Sequence, residues 1–273
     1  MSVDSPFSSA VGARPRLFGV LHLPPLPGTP RAALGLGAIR ERVAAEVRCY
    51  LEEGIEGLVL ENHGDAPFHA ESNPPEIIAA MAVIARGVRE LHRGPLGINV
   101  LRNDARGALA VAAAAGAEFI RVNVLTGTTA TDQGLVSGRA RDVLDARRAL
   151  GADVRIAADF EVKYGTPLYR PPRVEGVRGL LQRGGADAVI LSGSATGSAA
   201  DPEELRELRD GLGAGAPLLI GSGLTAENLG AFRAASGFIV GSAFKEDGYV
   251  ENPVSRERVR RFVAAWRTLG PSN

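Results

Sequence analysis

The sequence predicts a single α/β domain folded as a (β/α)₈ TIM barrel. Eight short aliphatic runs recur along the 273 residues, helix-like segments separate them, and no change in composition marks a second domain. Runs that are apolar almost throughout are typical of parallel strands covered on both faces. A doubly wound open sheet is the main structural alternative. We expect a flexible N-terminal tail over residues 1–15 and the barrel domain over residues 16–270.

The elements can be placed one after another from these runs and from helix-end signals. The predicted strands begin at residues 17, 57, 96, 119, 154, 188, 217 and 237. An apolar stripe that stops at Gly54 predicts the first helix. The predicted N-cap residues of later helices are Asn73, Asp201, Thr225 and Asn252.

Charge and composition exclude some classes of partner. The formal net charge is +0, so we expect no nucleic-acid partner. No apolar run reaches the length that crosses a bilayer, and the N-terminus lacks a signal-peptide pattern, so we expect no integral membrane segment. The single cysteine, Cys49, suits a reducing compartment. Together these features predict a cytoplasmic protein.

The ends of the predicted strands are polar throughout. In barrels of this class the chemistry takes place at the C-terminal ends of the strands. Strand ends also turn polar wherever they meet water, but buried polar groups are costly unless they pair or bind a ligand, so a functional site is favoured. The candidate residues are His22, Glu61, Asn62, His63, Asp65, Asn99, Arg102, Arg121, Asn123, Asp159, Glu161 and Lys163.

Glycine-serine turns follow the last two predicted strands. They comprise Gly221, Ser222 and Gly223 after the seventh strand, and Gly241 and Ser242 after the eighth. Backbone N–H groups in such turns, aimed by a helix N-terminus, bind phosphate in many barrels. The pair of turns therefore predicts a phosphate site for a phosphorylated small molecule, although such turns are also ordinary loop chemistry.

The candidate residues divide into catalytic and binding roles. Asp159 and Glu161 are the expected general acid/base pair, because neighbouring carboxylates can hold a proton at neutral pH. His22 and Glu61 line the opposite wall, and Lys163 completes the catalytic set. The expected substrate-binding residues are Asn62, His63, Asp65, Asn99, Arg102, Arg121 and Asn123.

Lysine is rare in this chain. Lys163 and Lys245 are the only two lysines beside 29 arginines, and both follow predicted strand ends. A buried lysine amine, unlike arginine, can lose its proton and act as a base or Schiff-base nucleophile. For Lys163 an electrostatic anchor and a catalytic amine both stay open. For Lys245 an exposed charge beside Glu246 and Asp247 is expected.

The histidines and carboxylates at the strand ends could also bind a metal. Their nitrogen and oxygen atoms suit Zn²⁺, Mn²⁺ or Mg²⁺, but no spacing is diagnostic, so no cofactor is assigned and a divalent metal stays open. Two segments rich in glycine and in threonine or serine, residues 125–138 and 192–202, are candidates to close over a ligand.

Several long motifs resemble those of a known family. HLPPLPGTP (22–30), ENHGDAPF (61–68), GINVLRNDA (97–105), IRVNVLTG (120–127), VKYGTPL (162–168) and IVGSAFKEDG (239–248) are similar, in the same order, to segments of the BtpA/SgcQ family. Two positions depart from the family pattern. Tyr164 stands where the family more usually has histidine, and His63 stands where an aromatic residue is common.

The resemblance implies a barrel like those that bind ribulose phosphate. It also implies one of two functions, since the family includes a photosystem I biogenesis factor and a branch linked with sugar metabolism. The main hypothesis is an isomerase, lyase or glycosyl-transfer enzyme that acts on a phosphorylated sugar or nucleoside-like molecule by carboxylate acid/base chemistry. The alternative is a non-catalytic assembly or stability factor for photosystem I. By analogy with similar barrels we expect a homo-oligomer.

Overall fold

Eight parallel strands close into a barrel, and this excludes the open-sheet alternative. The computed structural model describes residues 5–7, 14–193 and 200–269. In chain order the strands are β1 (Arg16–His22), β2 (Gly57–Glu61), β3 (Leu96–Asn99), β4 (Phe119–Val122), β5 (Thr128–Thr131), β6 (Gly134–Ser137), β7 (Arg155–Phe160), β8 (Gly165–Pro167), β9 (Ala188–Leu191), β10 (Leu218–Ile220) and β11 (Gly237–Val240). Around the barrel the order is β1, β2, β3, β4, β7, β9, β10 and β11, which pairs again with β1. The eight barrel strands are those predicted from the aliphatic runs.

The helices pack around this barrel. They are α1 (Leu36–Glu53), α2 (Pro75–Leu91), α3 (Ala105–Ala115), α4 (Ala140–Ala149), α5 (Arg173–Gln182), α6 (Pro202–Leu212) and α7 (Arg256–Thr268). Two predicted ends are confirmed. Gly54 ends α1 in the left-handed conformation at φ 91°, and the side chain of Asp201 accepts a hydrogen bond from Glu203 N at the start of α6.

Three predicted helix starts are wrong. Pro74 occupies the N-cap of α2, because the Asn73 amide donates to Leu101 O instead of capping the helix. Thr225 is followed only by a short 3₁₀ turn at Leu229–Phe232, and α7 begins after Ser255 rather than after Asn252. At Asn73 a contact outside the helix replaces the expected cap, and at Thr225 a short turn replaces the expected helix.

Aromatic side chains fill the N-terminal end of the barrel interior. Phe119 packs edge-to-face against Phe18 and Phe7, with ring centroids 5.5 and 5.0 Å apart. A Cβ atom at Gly57 would approach the Phe18 ring to 2.4 Å, and one at Gly97 would approach the Phe119 ring to 2.3 Å, so these strands need glycine there. This packing leaves the opposite end of the barrel to the polar residues.

Part of the predicted N-terminal tail contributes to this core. Phe7 is fully buried and belongs to the same apolar cluster as Phe18 and Phe119. Residues 1–4 and 8–13 lie outside the described residues. A flexible tail is therefore still a prediction for those residues, whereas Phe7 has a fixed packing position inside the barrel.

A small antiparallel sheet forms beside the mouth, where loops were expected. Strands β5 and β6 form a hairpin, and β8 pairs with β5 on its other side. The hairpin lies within residues 125–138, one of the two segments considered as a ligand cover. Of the other segment, residues 194–199 lie outside the described residues.

Candidate active site

A cavity of about 110 Å³ opens at the C-terminal mouth of the barrel. Strand register explains why the predicted residues meet there, since His22 on β1, Glu61 on β2 and Asn99 on β3 are successive register partners. The predicted residues that line the cavity are His22, Glu61, His63, Asn99, Arg102, Arg121, Asn123, Lys163, Gly221, Ser222, Gly223, Gly241 and Ser242. The remaining four, Asn62, Asp65, Asp159 and Glu161, are not among its lining residues.

An ion pair anchors the cationic side of the cavity. Arg121 Nε and Nη2 each donate to Asp159 over 2.9 Å, and Asn123 Nδ2 donates to the same carboxylate over 2.8 Å. All three residues are buried. Burial alone would lower the pKa of Arg121, but the charges of Asp159 and Glu61 raise it overall, so the guanidinium stays charged. Asp159 therefore orients Arg121 and does not face the cavity as a free acid or base.

Glu61 carries a stable negative charge beside Arg121. Its Oε2 atom accepts from Asn99 Nδ2 over 2.8 Å and lies 3.6 Å from Arg121 Nη1. Burial would raise the pKa of Glu61, but the charges of Arg121, His22 and His63 and the Asn99 hydrogen bond bring it down to about 2. Glu61 is thus an anion at neutral pH.

Two histidines stand next to this carboxylate. The rings of His22 and His63 meet edge-to-face with centroids 5.1 Å apart. Burial is the largest influence on His22 and lowers its pKa to about 3, despite the opposing charge of Glu61. The imidazole of His22 is therefore neutral at physiological pH and can accept a hydrogen bond.

Lys163 approaches the cavity from the segment between β7 and β8. Its Nζ atom lies 3.4 Å from the carbonyl oxygen of Gly221, and its own carbonyl accepts a hydrogen bond from Arg102 Nη2. Burial, reinforced by the positive charge of Arg121, lowers the pKa of Lys163 to about 8. A substantial fraction of the amine is neutral near physiological pH.

Asn62 and Asp65 hold loops together outside the cavity. The Asn62 side chain accepts from Leu101 N over 2.7 Å and donates to Asp65 Oδ2 over 2.9 Å. Asp65 Oδ1 in turn accepts from Leu26 N over 2.7 Å. The polar segment after β2 therefore divides: Glu61 and His63 face the cavity, whereas Asn62 and Asp65 fasten the loops after β1 and β3.

Glu161 does not join Asp159 as an acid/base pair in the cavity. It forms an ion pair with Arg170 over 2.7 Å and lies in an outer groove of about 790 Å³, between the β4–β5 connection and α5. Its backbone takes the left-handed conformation at φ 58°, which turns the chain at the end of β7. Asp159 also lines this outer groove, so the two carboxylates border the groove and not the cavity in which the acid/base pair was expected.

The two glycine-serine turns form one side of the cavity. A Cβ atom at Gly241 would approach His22 Cε1 to 2.5 Å, and one at Gly221 would approach Ser192 Oγ to 2.8 Å. Ser222 Oγ accepts from Gly193 N over 2.8 Å and so joins the loop after β10 to the loop after β9. Glycine is required because the backbone and the neighbouring side chains approach so closely.

Several buried polar atoms around this cavity lack partners. Within residues 5–7, 14–193 and 200–269, no hydrogen-bond partner is found for His22 Nδ1, Asn99 Oδ1, Asn123 Oδ1, Arg102 Nε or Ser192 Oγ. The first four of these atoms belong to lining residues. Buried polar groups are normally hydrogen-bonded, so a cluster of unsatisfied ones at one cavity indicates a binding site.

Lys245 is buried, and the expectation of an exposed charge is wrong. Its Nζ atom lies 2.9 and 3.0 Å from the two carboxylate oxygens of Glu46 on α1. The side chain is fully inaccessible to solvent. Glu46 is distant in the sequence, so the residues around Lys245 do not predict this pairing.

Some lining residues were not predicted from the sequence. They are Val20, Phe68, Leu101, Val162, Tyr164, Leu224, Ile239, Val240, Ala243 and Val250. Tyr164 is the one with a usable signal, since it follows Lys163 directly. The others are apolar residues that no chemical motif distinguishes from core residues.

No metal centre is assembled in the part of the chain that the structure describes. No three histidine, cysteine, aspartate or glutamate side chains there come together as metal ligands. The acidic candidates have other partners: Glu61 binds Asn99, and Asp65 binds Leu26 N. In the same described ranges, no helix has the length and apolar character needed to cross a membrane.

Comparison with known proteins places the chain in a family. The sequence profile of the BtpA family matches residues 14–268. The chain belongs to the BtpA family. It is 44% identical over 250 residues to the photosystem I biogenesis protein BtpA of Synechocystis sp., covering 91% of this chain and 87% of that protein. It is 40% identical over 254 residues to an uncharacterized protein of Pyrococcus furiosus, covering 93% of this chain and 95% of the relative.

Solved structures share the barrel at much lower identity. Phosphoribosyl anthranilate isomerase from Thermococcus kodakaraensis aligns with a TM-score of 0.56 and 16% identity, covering 93% of this chain and 99% of that one. Orotidine 5'-monophosphate decarboxylase from Methanocaldococcus jannaschii aligns with a TM-score of 0.53 and 13% identity, covering 93% and 99%. At these identities the similarity establishes the TIM-barrel fold of this BtpA-family member.

Proposed function

We propose that this protein is an enzyme that binds a phosphorylated sugar or nucleoside-like molecule in the mouth of its barrel. The observation that supports the proposal is that glycine-serine turns and cationic side chains line the same cavity. Two glycine-serine turns and the cations of Arg102, Arg121 and Lys163 line the same space. Backbone N–H groups and fixed cations are the groups that bind phosphate in proteins.

The unsatisfied buried atoms suit the sugar part of such a ligand. The amide groups of Asn99 and Asn123 donate to Glu61 and Asp159, so their oxygens are oriented by those carboxylates. These oxygens have no partner within the described residues, and each could accept a hydrogen bond from a ligand hydroxyl. A molecule with hydroxyl donors and one anionic group matches these requirements.

The acid/base role is assigned to Lys163, with Glu61 and His22 as hydrogen-bond acceptors. Glu61 is ionised and His22 is neutral at pH 7, and pKa values of about 2 and 3 make both of them weak bases. Lys163 stands on another side of the cavity as an amine that can exist in either form. Isomerisation, lyase chemistry and glycosyl transfer all need a proton acceptor and a cation near a developing negative charge.

The names of the structural neighbours support the same class of ligand. Phosphoribosyl anthranilate isomerase and orotidine 5'-monophosphate decarboxylase are both named for phosphorylated substrates. Phosphate sites in barrels of this kind lie in the loops after the seventh and eighth barrel strands. In this chain those loops follow β10 and β11 and contain the two glycine-serine turns.

A thermal-shift titration tests the proposal. Ribose 5-phosphate, glucose 6-phosphate, their unphosphorylated sugars and inorganic phosphate are compared, each with and without Mg²⁺. A ligand at 100 times its Kd stabilises the native state by about 2.7 kcal/mol, which corresponds to a rise in Tm of roughly 5 °C or more. The phosphorylated compounds should stabilise the protein and the free sugars should not.

Matched variants locate the effect. Arg102→Met removes a cation from the cavity and should abolish the shift. Arg86→Met removes an exposed cation from α2, where it pairs with Glu90, and should keep the shift. A panel without any stabilising phosphate compound, or equal shifts in the two variants, would overturn the proposal.

A second candidate function is favoured by exposed apolar side chains. Leu135, Leu168 and Tyr169, on or next to the small sheet, are 62%, 64% and 77% exposed. Exposed apolar side chains are common at protein interfaces, and the Synechocystis relative is named for photosystem I biogenesis. These residues would serve a non-catalytic assembly factor or the expected homo-oligomer. Light scattering measures the molar mass of the wild type and of the double variant Leu168→Ser/Tyr169→Ser. An oligomer that is present in the wild type and lost in the variant would support a homo-oligomer.

A further inference from the structure

The two lysines of this chain occupy opposite kinds of environment. Lys245 is locked to both carboxylate oxygens of Glu46 in a fully buried pair. Lys163 lines the cavity, and its Nζ atom makes one long contact, 3.4 Å to the carbonyl oxygen of Gly221. Among residues 5–7, 14–193 and 200–269, no carboxylate forms an ion pair with it. Lys163 thus has an amine that is not neutralised by a partner and faces an open space.

Burial, and after it the nearby cations, explain why this amine gives up its proton readily. Arg102 and Arg121 line the same cavity, and the carboxylate of Asp159 is already engaged by Arg121. Burial and the charge of Arg121 lower the pKa of Lys163 to about 8. About a tenth of the amine is therefore uncharged at pH 7 and about half at pH 8. An uncharged amine in a low-dielectric site is the reactive form of a nucleophilic lysine.

The backbone fixes the position of Lys163 on the cavity wall. Glu161 and Tyr164, on either side of it, both take the left-handed conformation, with φ of 58° and 56°. Arg102 donates a hydrogen bond to the Lys163 carbonyl. Non-glycine residues in this conformation are uncommon and cluster where function requires them. The segment that presents the amine is therefore specifically shaped and anchored.

We propose that Lys163 forms a Schiff base with the carbonyl carbon of a phosphorylated aldehyde or ketone bound in the cavity. This rests on the proposed function, because the phosphate on the two glycine-serine turns would bring the carbonyl to the amine. It narrows the substrate class from phosphorylated sugars in general to those with an open-chain carbonyl group.

The chemical step balances without any further reagent. The uncharged amine adds to the carbonyl carbon, its nitrogen loses a proton, and the carbonyl oxygen gains one to give a carbinolamine. The carbinolamine hydroxyl then takes a second proton and leaves as water while the nitrogen lone pair forms the C=N bond. Starting from the ammonium ion, the net products are a protonated iminium ion and one water molecule, so charge is conserved.

The neighbouring groups supply charge and hydrogen bonds. Glu61 and His22 line the same cavity as Lys163 and accept hydrogen bonds at neutral pH, but pKa values of about 2 and 3 make them poor proton carriers. The protons of the carbinolamine step therefore exchange with water at the open mouth of the cavity. The iminium ion carries a positive charge, and the carboxylate of Glu61 would stabilise it.

Reductive trapping tests the proposal directly. The full-length protein is incubated at pH 8 with glyceraldehyde 3-phosphate and sodium cyanoborohydride, and the adduct is mapped by mass spectrometry. With only two lysines and the N-terminal amine present, the site of attachment can be assigned unambiguously. The expected result is one adduct on Lys163, formed at least ten times faster than with unphosphorylated glyceraldehyde at the same concentration.

Two variants act as controls. Lys163→Met should lose the adduct while its circular dichroism spectrum stays that of the wild type. Arg86→Met, on the outer surface of α2, should form the adduct at the wild-type rate. An adduct confined to the N-terminal amine, or one whose rate is the same in Lys163→Met, would overturn the Schiff base.

Failure of this proposal can be told apart from failure of the proposed function. Glycerol 3-phosphate carries the phosphate but has no carbonyl group. If it stabilises the protein in a thermal shift while no adduct forms on Lys163, phosphate binding stands and the Schiff base is overturned. If neither it nor any phosphate compound of the thermal-shift panel stabilises the protein and no adduct forms, both proposals are overturned.

Discussion

Arg121 and Asp159 form a two-point ion pair at the mouth of the barrel. The Nε to Oδ2 and Nη2 to Oδ1 distances are both 2.9 Å, and Asn123 donates to the same carboxylate. The side chain of Asp159 is almost completely buried. The two carboxylates therefore have different roles. Asp159 orients Arg121, and Glu61, on the other side of Arg121, faces the cavity.

Removal of the Asp159 charge should destabilise the protein. Asp159→Asn leaves a buried guanidinium whose remaining carboxylate neighbour, Glu61, is 3.6 Å away. We expect the free energy of unfolding, measured by urea titration, to fall by about 3 kcal/mol. Glu161→Gln is the matched control, because it breaks only an exposed pair with Arg170 and should cost less than about 0.5 kcal/mol. Equal losses in the two variants would contradict this division of roles.

Close packing at Gly241 links the glycine-serine turn after β11 to His22. In Gly241→Ala the new Cβ atom would lie 2.5 Å from His22 Cε1, so the ring or the turn must move. We expect a loss of about 1 to 3 kcal/mol in the free energy of unfolding, and loss of the thermal shift by ribose 5-phosphate. Gly37→Ala, on α1 with no atom within 4 Å of the added Cβ, should keep the shift. If Gly241→Ala kept the full thermal shift, neither His22 nor this turn would contribute to ligand binding.

The buried pair of Lys245 and Glu46 is expected to behave as a unit. Lys245→Met removes the buried cation and leaves Glu46 with the half-buried Arg42, whose Nε atom lies 3.7 Å from Glu46 Oε1, so the free energy of unfolding should fall by about 3 kcal/mol. Lys245→Met combined with Glu46→Leu should recover most of that loss, because no buried charge is left and Arg42 can turn to solvent. A double variant no more stable than the single one would show that packing, and not charge, causes the effect.

The fold was predictable because strands covered on both faces have an unmistakable sequence pattern. Each barrel strand is a buried aliphatic run, whereas β5, β6 and β8 are half-exposed and rich in threonine and glycine. Nothing in their sequence separates them from a loop. The wrong helix caps have a similar origin, since Asn73 has a better partner in Leu101 O, which only the folded chain brings near.

The site was predictable to the level of strand ends but not of side-chain direction. Successive residues beyond a strand face different ways, so Glu61 reaches the cavity while Asn62 fastens a loop. The rule that chemistry lies at strand ends does not tell which carboxylate faces the cavity. Asp159 forms an ion pair with Arg121, whereas Glu61 lines the cavity. For Lys245, the adjacent acidic residues suggested exposure, and its true partner lies on α1 at Glu46.

Lys163 should make stability depend on alkaline pH. Its pKa of about 8 in the native state lies below the value of about 10.4 for an unfolded lysine, so the unfolded state binds more protons between pH 8 and pH 10. Native stability from this residue therefore rises with pH across that window, by about 1 to 3 kcal/mol.

The difference between wild type and Lys163→Met isolates this contribution. Urea titrations at pH 7, 8, 9 and 10 measure the free energy of unfolding of both proteins. The variant should be relatively more stable at pH 7, and the wild type should gain on it as the pH rises. Parallel curves over the whole range would mean that the Lys163 amine has an ordinary pKa.

A crystal structure of the protein with ribose 5-phosphate is the most direct test of the central claim. The expected result is electron density for the ligand in the mouth of the barrel, with its phosphate against Gly221, Ser222, Gly223, Gly241 and Ser242. Its hydroxyl groups should lie within hydrogen-bond distance of Asn99 or Asn123. Density only in the outer groove beside Glu161, or an empty mouth at a ligand concentration that stabilises the protein in solution, would contradict a phosphate site on the glycine-serine turns.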